Sequence, residues 1–247
     1  MIRKNRPIPG HTAKLLIFDL DGTLIDSRED LANSINAMLN HFGKNPLPHE
    51  VIASYIGDGA PMLVRRALGD PDDENFVQDA VLYFMGWYRE HKLDNTYVYD
   101  GVKEPLDAIQ KSRDGASTQG IQPLKMAVLS NKPVGPSRAI VEALGLSQYF
   151  FQVYGGNSFH TKKPDPTGVQ ALLEEAGVAA EETVIIGDSD IDILTARNSG
   201  IYSVGVTYGL APHTLQDAPP DVLIDKPSEL ALVLGSREQC RLEFQSG

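Results

Sequence analysis

The chain has 247 residues, enough for one large domain or a core with a smaller insertion, and 42% are hydrophobic, too many for a disordered chain. Its 33 acidic against 22 basic residues give a formal charge of −11, a field that repels phosphate backbones and anionic lipid and argues against nucleic-acid and membrane partners. The single cysteine, Cys240, admits no internal disulfide and no cysteine-rich zinc site, so a reducing, cytoplasmic setting is expected.

The chain opens with a basic, proline-containing arm, Met1 to Gly10, followed by no apolar stretch of signal-peptide length; a solvated tail is expected there. Leu15 to Phe18 is the first short apolar run, and it stops at Asp19. From Ser27 to Asn95 the pattern is helical throughout. Leu31, Ile35, Met38, Leu39 and Phe42 recur at helical spacing before Gly43; Pro61 to Leu68 and Glu74 to Lys92 give two further helices. The polar stretch Asp114 to Gly120 reads as a surface loop. Beyond it, Met126 to Leu129 and Val184 to Ile186 are two more apolar runs that end abruptly in polar residues, with Tyr202 to Val206 a fourth and Gln152 to Tyr154 a weaker fifth. Helical patterns over Gly135 to Leu144, Thr167 to Ala176 and Asp192 to Ser199 separate them.

Continuous apolar runs of this length suit strands buried on both faces, and their alternation with helices predicts a doubly wound α/β fold with a parallel, Rossmann-like sheet. The helical stretch then reads as an all-helical cap, residues 27–96, inserted into a catalytic core of residues 1–26 and 97–247. Hinges are expected near Asp26 to Asp30 and Tyr97 to Gly101. No run approaches the roughly 18 apolar residues that span a bilayer.

Four polar clusters fall at strand ends, where such sheets bind ligands. In Asp19-Leu20-Asp21-Gly22-Thr23, extended residues two apart project to one side, so both carboxylates can share a metal or divide nucleophile and acid/base roles; the plain reading is a strand-ending Asp-Gly turn. Ser130-Asn131-Lys132 offers a hydroxyl and an amide to an anion, or simply caps a helix. Lys162 and Lys163, ahead of Pro164, present a mobile charge suited to phosphate, and chemistry alone does not choose between them. Asp188, Asp190 and Asp192 crowd five residues and repel one another unless a cation or partner offsets them; hard oxygen donors of this kind suit Mg²⁺, while Asp192 could simply cap the following helix and Asp190 be solvated.

Taken together, the order and spacing of these clusters resemble the haloacid dehalogenase-like superfamily of phosphohydrolases with a small helical cap. Asp19 to Ser27 looks most like the phosphoglycolate phosphatases and their close relatives. The resemblance implies that Asp19 attacks phosphorus and forms an aspartyl-phosphate, while Asp21 acts as acid and then base. It further implies Mg²⁺ held by Asp19, the Asp21 carbonyl and Asp188, with Asp192 in support. Phosphate would be met by Ser130, Asn131 and Lys163, and by Thr23, which could instead orient Asp21. The Gly57-Asp58-Gly59 loop matches the place where relatives read the substrate, an alternative to an ordinary flexible turn; Arg65 and Arg66 could reach a substrate carboxylate, although solvated helix arginines are commoner. A small phosphorylated metabolite is the expected partner, with 2-phosphoglycolate the leading candidate. A hexose-phosphate mutase is the nearest rival, and a non-catalytic phospho-acceptor the rival of another class. A dehalogenase would not need the acid at Asp21.

Overall fold

The computed structural model describes residues 2–118 and 124–234. Cys240 and the last two residues of the expected loop, 119 and 120, lie outside them. Nine strands are assigned among the described residues: β1 (Arg3–Lys4), β2 (Leu15–Phe18), β3 (Ile25–Asp26), β4 (Tyr97–Val98), β5 (Lys125–Leu129), β6 (Gln152–Tyr154), β7 (Thr183–Gly187), β8 (Tyr202–Val206) and β9 (Val222–Ile224). The helices are α1 (Arg28–His41), α2 (His49–Ala53), α3 (Ala60–Ala67), α4 (Glu74–His91), α5 (Lys103–Thr118), α6 (Val134–Ala143), α7 (Thr167–Ala176), α8 (Asp190–Ser199) and α9 (Glu229–Leu234). None is long and apolar enough to cross a membrane.

Seven strands form one sheet in the order β1-β9-β8-β7-β2-β5-β6, parallel except for β1. β2 lies inside it, between β7 and β5, and its residues divide by the two-residue period of a strand. Leu15 and Ile17 pack with Val169 and Leu172 of α7 and Ala196 of α8. Leu16 and Phe18 face the opposite way, with Leu106 of α5, Ile140 of α6 and Leu230 of α9. Both faces are therefore covered by helices, which is why these strands read as unbroken apolar runs. The chain moves from β2 to β5 on one side and later to β7 on the other, so the carboxyl end of β2 is the switch point where such sheets open a crevice.

Helices α1 to α4 bury Leu31, Ile35, Met38, Leu63, Val64, Ala80 and Phe84 together, with α1 and α3 each packed on α4. The chain enters and leaves this helical unit through an antiparallel pair, β3 with β4, in which Ile25 faces Val98 and Asp26 faces Tyr97.

Two expectations are corrected. The amino-terminal arm is not a solvated tail: Arg3 and Lys4 pair with Leu223 and Val222, and Arg3 and Arg6 form ion pairs with Asp225 and Asp221. An acidic sheet edge gives the basic arm a place to bind. Residues 114–118, expected as a loop, continue α5 to Thr118. Helix propensity disfavours Gly115 by only about 1 kcal/mol, which a long helix tolerates.

Candidate active site

Asp19 stands one residue past β2, and its backbone N–H donates to Ile186 of the neighbouring strand at 2.9 Å. The chain must then reverse at once. Gly22 does so at φ +85°, and a Cβ there would stand 2.2 Å from an Asp188 carboxylate oxygen, so the turn needs glycine for both conformation and space. The reversal carries Asp21 back beside Ile25 and brings Ser27 within reach. The Ser27 hydroxyl donates to Asp21 Oδ1 at 2.5 Å instead of capping α1.

The four clusters converge on one cleft of about 670 Å³, measured out to its mouth, lined by Asp19, Asp21, Ser130, Asn131, Lys163 and Asp188. Asp19, Asp188 and Asp192 bring a carboxylate oxygen apiece within 4.8 Å of one another. Lys163 Nζ lies between two of them, 2.9 Å from Asp19 Oδ1 and 2.6 Å from Asp192 Oδ1. Asp192 is wholly buried, and its other oxygen accepts from the Ser189 hydroxyl at 2.9 Å and from the Ser189 backbone at 3.3 Å. It therefore reaches the cluster through Lys163. Asp188 Oδ2 accepts from the backbone of Leu210 at 2.6 Å and Ala211 at 3.0 Å.

This acid cluster is electrostatically strained in the chain alone. Burial, with repulsion from Asp192 and Asp19 added, pushes Asp188 up to about 8. Burial pushes Asp19 up to about 6; Lys163 works against the rise, and Asp192 and Asp21 add to it. Four carboxylates, from Asp19, Asp21, Asp188 and Asp192, face two ammonium groups, from Lys132 and Lys163, a formal balance of −2. A hard divalent cation among oxygen donors offsets both the charge and the repulsion, so the residues present fit such an ion.

The structure separates the two adjacent lysines. Lys163 is buried in the carboxylate cluster, whereas Lys162 is exposed and donates to the Asp58 carbonyl of the helical unit. The residue that sequence reasoning left without a role is Lys132. It is buried, 2.8 and 2.9 Å from the two Asp21 oxygens, and lies over the Tyr88 ring at 4.9 Å. Burial disfavours its charge, and the Asp21 carboxylate and Tyr88 together outweigh that and raise its pKa above the usual lysine value. Its place directly after Ser130-Asn131 was the one available signal.

Other residues fall differently from expectation. Thr23 is buried but lines a second, smaller cavity with Phe18, Leu24 and Tyr208, because the Gly22 turn points it behind the sheet end. Asn131 lines the cleft, yet its amide donates to two carbonyls, Gly57 and Lys163, each at 3.1 Å. Ser130 Oγ faces the cleft and accepts from the Lys132 backbone at 3.3 Å. Gly57 and Gly59 lie on the cleft rim, and Asp58 pairs with Arg66 at 2.5 Å. Arg65 is held outside by Glu74 and Asp70, so neither arginine lines the cleft.

A family model for haloacid dehalogenase-like hydrolases matches residues 16–206. The phosphoglycolate phosphatase of Photobacterium profundum is 36% identical over 224 residues, covering 88% of this chain and 93% of that protein. That of Pseudomonas fluorescens is 35% identical over 224 residues, covering 88% and 78%. Among solved structures, a predicted phosphoglycolate phosphatase from Haemophilus somnus superposes with a TM-score of 0.80 at 30% identity, covering 91% of this chain and 99% of its own. The chain belongs to the haloacid dehalogenase-like hydrolase family.

Proposed function

We propose that this chain is a Mg²⁺-dependent phosphatase that hydrolyses a small phosphate monoester, 2-phosphoglycolate first among candidates, through an aspartyl-phosphate on Asp19. One observation carries the reading: a buried carboxylate at the switch point of the sheet, bridged by Lys163 to Asp192 and set within 4.8 Å of Asp188. The substrate assignment draws support from relatives at 35–36% identity that are named phosphoglycolate phosphatases.

Asp19, Asp188 and the Asp21 carbonyl are the groups that would hold Mg²⁺. When bound, the ion neutralises charge on the phosphate oxygens and on the carboxylates around them. A carboxylate oxygen of Asp19 attacks phosphorus as the bond from phosphorus to the ester oxygen breaks. Asp21 gives its proton to that leaving oxygen, releasing glycolate. In the second step Asp21 takes a proton from water, the water oxygen attacks phosphorus, and the bond from phosphorus to Asp19 breaks to release inorganic phosphate. Splitting one difficult displacement into two is what the covalent route contributes. Ser27 and Lys132 fix the orientation of Asp21, and it takes up the proton for the first transfer when one of its Lys132 bonds is released. Lys163 and Ser130 are placed to meet the equatorial oxygens as charge develops on them.

The helical unit, residues 27–96, serves as the cap that roofs the cleft with Leu31, Ile56, Leu63, Phe84, Met85 and Tyr88. Its apolar roof excludes bulk water while the acyl phosphate exists. The test is a panel of phosphate esters with Mg²⁺, ranked by kcat/KM. The reading expects 2-phosphoglycolate at the head of the panel and loss of turnover on thorough chelation. Turnover that survives chelation, or no preference over a generic aryl phosphate, would sink the metal or the substrate assignment respectively.

A further inference from the structure

The loop Gly57-Asp58-Gly59 touches the sheet domain through its carbonyl groups. Gly57 adopts φ +129°, a conformation that side-chain-bearing residues rarely take, and two successive carbonyls turn toward the core. The Gly57 carbonyl accepts from the Asn131 amide at 3.1 Å, and the Asp58 carbonyl accepts from the Lys162 ammonium. The Asp58 side chain is drawn the other way by Arg66, which also donates to the Tyr55 carbonyl at 3.2 Å and so fixes the loop's shape. Gly59 sits so close that a Cβ would be 2.9 Å from the Asn131 carbonyl oxygen. The second hydrogen of the Asn131 amide goes to the carbonyl of Lys163, the lysine that pairs with Asp19. One amide thus joins three segments: the helical unit, the strand end after β5, and the loop that delivers Lys163.

We propose that Lys162 and Asn131 form a clasp that holds the 57–59 loop shut over the cleft, with Asn131 tying that closure to the placement of Lys163. Both are positioning residues: neither group's role here is contact with reacting atoms. The inference rests on reading the helical unit as a cap over a phosphatase site. It gives each lysine of the adjacent pair its own task, Lys163 inside on the nucleophile and Lys162 outside on the rim.

The experiment combines hydrogen exchange with steady-state kinetics on the full chain. Lys162→Met keeps the length of the side chain and removes the donor. It is expected to speed exchange in the 54–63 segment by roughly fivefold, the worth of one partly exposed charged hydrogen bond. KM for 2-phosphoglycolate should rise by a similar factor with kcat within about twofold, since Lys163 stays in place. Asn131→Ala removes both bonds of the amide, so it is expected to loosen the 161–166 segment as well and to lower kcat. Gly59→Ala blocks the close approach, and adding Lys162→Met to it should cost nothing further. Wild-type exchange in Lys162→Met would overturn the clasp, as would effects of Lys162→Met and Gly59→Ala that simply multiply. A fall in kcat with unchanged exchange would also overturn it, by placing Lys162 in the chemistry. Hydrogen exchange needs no turnover, so a chain inactive on every ester would refute the proposed function and leave the clasp readable.

Discussion

The helical unit is fastened to the sheet domain at two ends, and the fastenings are built differently. At the hinge, the buried Asp30 carboxylate accepts from both the backbone and side chain of Asn95 and of Thr96, at 2.7–3.1 Å. It thereby bonds the first turn of α1 to the returning chain just before β4. At the rim, Asn131 and Lys162 hold two carbonyls of a half-buried loop. In the proposed clasp, water would replace the rim bonds on lifting of the loop. It cannot reach the buried Asp30 carboxylate, and the buried Thr96 donors would be left without partners. A hinge that stays made and a rim that exchanges is the arrangement the proposed cap closure would require.

The largest expected effect lies at the hinge. Asp30→Ala strands the two buried donors of Thr96 and should lower unfolding free energy by about 2–4 kcal/mol, read from denaturant midpoints at neutral pH. Lys162→Met should leave that midpoint within roughly 0.5 kcal/mol of wild type. Equal shifts in the two variants would erase the distinction between hinge and rim.

A smaller effect concerns the ribbon that connects the two units. Burial works against the Asp26 carboxylate, but the Arg28 guanidinium and backbone N–H outweigh it and hold its pKa below the ordinary value. A group depressed on folding contributes stability that is present above its unfolded pKa of about 3.9 and is lost as pH falls through the folded value. The difference between wild type and Asp26→Asn should therefore be largest near neutral pH and shrink on acidification through the carboxylate range. A difference that stays constant from pH 7 to about pH 3 would contradict the assignment.

Much of the core was legible because its signals are local. A buried parallel strand must be apolar on both faces, so Leu15 to Phe18 and Val184 to Ile186 announced themselves, and the acids at their ends followed. What escaped depends on contacts between distant parts of the chain. Lys132 and Asp21 are 111 residues apart, Asn131 and Gly57 are 74 apart, and Asn95 and Asp30 are 65 apart. No period or spacing rule links such pairs. The docked amino-terminal arm was hidden for the same reason, since its partner β9 is only three residues long and follows two prolines. Thr23 was misplaced because φ +85° at Gly22 decides which side of the turn it faces.

The central claim is that Asp19 is the group that attacks phosphorus. Asp19→Asn keeps the size of the side chain and removes its nucleophilic charge. Steady-state hydrolysis of 2-phosphoglycolate with saturating Mg²⁺, compared between wild type and this variant, tests the claim directly. The account predicts a loss of roughly a thousandfold or more in kcat with the fold intact. Retention of turnover within about tenfold of wild type would contradict it.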